Sequence, residues 1–152
     1  MPVDDWVKDD ETLYRRTSHL ARKKDGSVSS AAFGGDRDLV PSVNRADLCG
    51  NDPTAVLTPL RPESRCVVSL LTNSVRAIST TRLNVDVIPD PVKDDPVWPD
   101  NPAHALITAY PPLSNENREA KNVARAFRRA LARISTWEIA PSPEPYSLSR
   151  KG

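Results

Sequence analysis

Proline limits what this chain can fold into more than any other residue, holding 15 of 152 positions against five for glycine. That is about twice the ordinary usage of ~5%. Each proline fixes φ and removes a backbone donor, so long uninterrupted helices and central strands are disfavoured over much of the chain. Coiled coils, helical bundles and helical solenoids fit poorly. The prolines are also concentrated: five fall in residues 89–102, three in 141–145, and Pro111 and Pro112 precede the longest helical pattern. They mark stiff connections rather than general disorder.

Leu, Ile, Val and Phe together make 34 of 152 residues. This is near the ~20% level at which strongly charged chains stop folding. Here 21 basic residues nearly cancel 20 acidic ones, so a modest core is expected. No apolar run approaches the ~18–20 residues that span a bilayer. Residues 1–10 are acidic and lack the basic and apolar regions of a secretory signal. Cys49 and Cys66 alone make no disulfide framework. A cytoplasmic protein is expected.

Residues 1–12 read as an acidic, mostly solvated N-terminal arm pinned by Trp6. Residues 13–137 read as a single α+β domain, and 138–152 as a proline-rich C-terminal strap or tail. Within the domain, 27–33 suits a strand or extended segment. Residues 39–43, interrupted by Pro41, suit an edge strand. Asp52 and Pro53 start a short helix that ends near Pro59. Residues 66–71 form the most buried strand. Residues 83–88 follow, with Leu83, Val85 and Val87 on one face. Residues 73–80 fit helix or strand, 89–102 form a rigid acidic loop, and 104–109 form another strand. From 116 to 136, Ala120, Val123, Ala124, Phe127, Ala130, Leu131 and Ile134 recur within about 120° of helical arc. The expected fold is α+β: a small mixed or antiparallel sheet covered by one long C-terminal amphipathic helix.

That helix carries Arg118, Lys121, Arg125, Arg128, Arg129 and Arg133 on its other face. Residues 1–100 hold 13 basic and 16 acidic side chains, whereas 101–152 hold 8 and 4. Six cations on one face suit a nucleic-acid backbone, an acidic membrane surface or an acidic protein partner. An ordinary covering helix has a charged outer face too, and no aromatic residue is present there to stack on bases. His104, at the mouth of a strand after the proline loop, is placed as a general base or ligand contact. It is equally placed to tie that loop by a hydrogen bond. Arg15 and Arg16, on an early strand, can clamp a phosphate or carboxylate. They can also simply balance the acidic arm. His19, Cys49, Cys66 and His104 lack zinc spacing, so no metal is expected. Nor is a cofactor, because phosphate-loop and dinucleotide motifs are missing.

Arg15, Ser29-Ser30 and Gly34-Gly35 weakly resemble the early arginine and small-residue strand of ADP-ribosyltransferase-like toxins, without a matching catalytic glutamate. More broadly, Leu13-Tyr14-Arg15-Arg16, Ser29-Ser30-Ala31-Ala32-Phe33, Ser42-Val43-Asn44-Arg45-Ala46 and Asn101-Pro102-Ala103-His104-Ala105 occur in an order that resembles a group of small uncharacterised bacterial proteins. That resemblance spans roughly residues 12–109. It implies bacterial origin and a compact single domain, and it implies no reaction. The leading expectation is a non-catalytic accessory protein that binds a macromolecular partner, protein or nucleic acid. The alternative is a small enzyme acting on a nucleotide or nucleic acid, with His104 and Arg15 or Arg16 in its site.

Overall fold

The computed structural model describes residues 6–35 and 39–142. Residues 1–5 of the expected arm and 143–152 of the expected strap lie outside the described residues. Six strands, β1 (Thr12–Thr17), β2 (Ser42–Arg45), β3 (Cys66–Leu71), β4 (Asn84–Pro89), β5 (His104–Tyr110) and β6 (Thr136–Ile139), form one sheet. Their order is β4-β5-β2-β1-β3-β6, and every pairing is antiparallel. Two α-helices, α1 (Thr72–Arg76) and α2 (Arg118–Arg133), complete an α+β fold.

The apolar pattern explains how the faces divide. Leu13, Val43, Val68, Leu70, Val85, Val87, Ala105 and Ile107 share one core with Phe127 and Leu131 of α2, Val75 of α1 and Phe33. On the other face Tyr14, Ala46, Val56 and Val67 form a smaller cluster. It includes residues of two 3-10 turns, Ala46–Cys49 and Pro53–Val56. β3 is covered on both faces, so its run of five buried residues shows no alternation. In β4, Val85 and Val87 are buried and their neighbours are not.

Several elements depart from expectation. β2 is an interior strand between β5 and β1 rather than an edge. Pro41 stands just before it, so the missing N–H takes nothing from the ladder, and its carbonyl accepts from the Ile107 amide at 2.9 Å. Residues 30–33 turn into a 3-10 helix, because the Ser29 hydroxyl accepts from the Ala31 amide at 3.1 Å. This is a local bond of the kind that competes with strand pairing. Of 73–80, residues up to Arg76 belong to α1. The Asp52 side chain caps a single 3-10 turn, accepting from the Thr54 amide.

The long helix holds only in part. α2 starts where Asn117 accepts from the Ala120 amide at 2.8 Å. It stops short of 136, where the Ser135 hydroxyl turns back onto the Leu131 and Ala132 carbonyls. β6 then follows, so α2 is not the last element. The β6 residue Trp137 donates from Nε1 to the Gly26 carbonyl at 2.9 Å.

Candidate functional site

Cross-strand pairing sets a polar row across the face opposite α2. Tyr14 pairs with Ser69 on one side and Asn44 on the other, and Asn44 pairs with His104. Facing residues of an antiparallel ladder share one side of the sheet, so Asn44 and His104 stand next to each other. They form part of the lining of a cleft of about 960 Å³, walled by residues 55–64 and by the proline-rich loop.

That loop is folded by its own acids. Val92 and Asn101 exchange two backbone hydrogen bonds, at 2.9 and 2.8 Å. The Asp95 carboxylate accepts from the Val97 and Trp98 amides. The bonds from the Trp98 and then the Val97 amide hold its carboxyl below the ordinary range. Asp100 accepts from the Asp94 amide at 3.1 Å. His104 closes the loop: its Nδ1 lies 2.9 Å from the Asp90 carbonyl and 3.2 Å from the Asp90 carboxylate.

Asn101 joins loop to sheet. Its Oδ1 accepts from the Ala103 amide and its Nδ2 donates to Asn44 Oδ1 at 2.7 Å. The first bond fixes which end of Asn101 is the nitrogen, and so which end of Asn44 is the oxygen. The Asn44 Nδ2 group is therefore turned away from Asn101, and it has no partner among the described residues.

Arg16 and Arg15 diverge, as neighbours on a strand must. Arg16 donates from Nη1 to the Val56 carbonyl at 3.0 Å and lies over the Trp98 ring, 5.8 Å from its centroid. Arg61 lies over the same ring at 5.6 Å. Arg15 is buried. It donates to the Ala32, Ser42 and Gly34 carbonyls and lies over Phe33. It lines the end of the cleft near Gly34 but serves to bind three backbone segments together. The structure thus brings Arg16 and His104 to one cleft, together with Asn44, Asn101, Arg61 and Trp98.

Asn44 and Asn101 sit inside two of the short sequence signatures, but their residue type alone did not single them out. Arg61 and Trp98 carry no local signal, since only loop packing joins them. Two thiols add no nucleophile: burial, and then Asp52, push Cys49 up, and burial pushes Cys66 up. A thiol held above its ordinary pKa carries little thiolate.

The basic face lies on the other side of the molecule. Arg118, Lys121, Arg125, Arg129 and Arg133 are exposed and Arg128 is half-buried. None of the six forms an ion pair among the described residues, with the acidic loop or elsewhere. Lys121, Arg125, Arg129 and Arg133 follow one another at four-residue spacing. Such like-charge pairs destabilise a helix by about 0.2–0.5 kcal/mol each.

No family model, curated protein or solved structure matches this chain.

Proposed function

We propose that the protein is a non-catalytic bacterial accessory protein of the cytoplasm that binds nucleic acid along the exposed face of α2. The observation that carries this is the ladder of six cations without an acidic partner among the described residues. A ladder that repels itself gains stability when an external polyanion neutralises it. Five of the six are arginines, whose planar fork suits phosphate oxygens. A membrane surface fits less well. Phe127 and Leu131 of α2 are buried in the core and Val123 is its one large apolar side chain left exposed, too small an apolar face to insert. Without aromatic residues on the face, contact is to phosphates and is independent of sequence.

Titration with a random-sequence duplex at about 50 and 200 mM salt tests this, with an expected slope of about −0.9 in log K against log salt per phosphate contacted. Reversing Arg125, Arg128 and Arg129 to Glu flattens that slope. The same charge change at the exposed Arg22, Lys23 and Lys24 leaves it in place. Undetectable binding at low salt, or equal loss from both triple variants, overturns the assignment. In the second case net charge rather than α2 is responsible.

A further inference from the structure

The cleft is independent of α2 and on the opposite face of the sheet, and its chemistry is more selective than that of a phosphate-binding ladder. Three observations define it. The first is the pair at its floor. A carbonyl can only accept, so the 2.9 Å contact with the Asp90 carbonyl places a hydrogen on His104 Nδ1. In the neutral ring this leaves Nε2 as an acceptor. Asn44 Nδ2, on the neighbouring strand, is a donor turned away from Asn101. Asn44 and His104 are cross-strand neighbours on one face of the sheet and both line the cleft, so a donor and, in the neutral ring, an acceptor belong to adjacent positions of its lining. That is the complement of a planar group with an acceptor and a donor on adjacent atoms, which is how a nucleobase presents its edge.

The second observation is Arg61, held over the Trp98 ring. A guanidinium resting on an aromatic face keeps its fork free for phosphate and has less rotamer freedom to lose on binding. The third is the presence of Glu63 in the lining beside these cations. A carboxylate there disfavours a bare polyphosphate and suits a ligand with hydroxyl donors between base and phosphate. The volume, about 960 Å³, is within the ~300–1,000 Å³ range of small-ligand sites.

We propose that this cleft is a nucleotide site, in which Asn44 and His104 read the base edge, Arg61 meets the phosphate and Glu63 takes the ribose hydroxyls. The same chemistry is offered by a free mononucleotide and by the end of a single strand.

Calorimetric titration of the full-length protein at about 200 mM salt, where contacts along α2 are weak, tests it. The probes are AMP, CMP, GMP and UMP, ribose 5-phosphate, inorganic phosphate and a short single strand. At least one mononucleotide is expected to bind about tenfold or more tighter than ribose 5-phosphate, the scale of one good paired base contact. Asn44→Asp keeps the oxygen that Asn101 needs and exchanges the donor for an acceptor, so it should erase the preference for base over ribose phosphate. Arg61→Ala should weaken mononucleotides and ribose 5-phosphate alike. A strand that binds tighter than every mononucleotide, and still loses affinity in Asn44→Asp, assigns the site to strand ends. Should Asn44→Asp not fold, amide-shift mapping on the unsubstituted protein decides: shifts at Asn44, Asn101 and His104 support the site, and shifts confined to α2 overturn it. No saturable binding at millimolar nucleotide overturns it too, as does equal affinity for nucleotides and ribose phosphate.

Discussion

Glu11 belongs, by sequence, to an acidic arm, yet only 5% of its surface is exposed. Its carboxylate takes two bonds from Arg45, both at 2.9 Å, and one from the Lys8 amide at 2.8 Å. Burial alone would raise its carboxyl, but the hydrogen bond from Arg45 and then that from the Lys8 amide help bring it below the ordinary value. A depressed folded pKa stabilises the protein above the unfolded pKa, about 4.3 for Glu, and that stability fades as pH falls through the folded value. Glu11→Gln should therefore lower the urea midpoint at pH 7 and flatten its decline towards pH 3. Losing one partner of a buried pair costs up to about 3–5 kcal/mol, because Arg45 keeps its charge after this carboxylate is gone. Thr72 is the opposite case. Its hydroxyl is fully buried without a hydrogen-bond partner among the described residues. Thr72→Val keeps the shape and removes that group, so stability read from urea unfolding should hold or rise by up to about 1 kcal/mol. Neither residue was legible as a core position, because residue type predicts exposure for both.

Among the elements, β4 is an edge strand closed to further pairing by side chains. The Val85 amide donates to the Ser79 hydroxyl at 2.8 Å, and that hydroxyl donates to the Val85 carbonyl at 3.2 Å. Arg76 covers the Val87 carbonyl while its guanidinium pairs with Asp9 and Asp86. An open edge invites association with other chains. Ser79→Ala should lower stability by about 1 kcal/mol and raise the apparent mass seen by light scattering at high concentration. Arg76→Ala should lose more, since Trp6 also stacks on this guanidinium at 4.5 Å. Apolar patterning located β3, β4, β5 and α2 to within a few residues, because β3 is a continuous apolar run and the others carry an apolar repeat. It missed β6, whose four residues alternate weakly in burial and follow directly on a helix. It also took Pro41 as part of a strand, although the proline only precedes one.

At the scale of the whole molecule, the sheet separates two surfaces of different chemistry: a charged helix on one side and a polar cleft on the other. The segregation of charge was visible in the sequence and led to α2. The cleft was visible only through His104 and Arg16, picked out by residue type, because its other members meet through loops with no periodic signal. If the two surfaces act independently, reversing charge along α2 and replacing Asn44 should give additive effects on their own ligands, measured as a double-mutant cycle. A coupling above about 0.5 kcal/mol would contradict that independence.

The strand order also bears on how the protein comes into being. The three central strands β2, β1 and β3 all come from the first half of the chain, and later strands attach outside them. Asn44 must wait for His104, and Val67 for Ile139. During synthesis the inner sheet is therefore exposed at both margins until its last neighbours have left the ribosome. Refolding in vitro meets the same long closures at once, and belongs with the slow, millisecond-to-second class of sheet-rich domains.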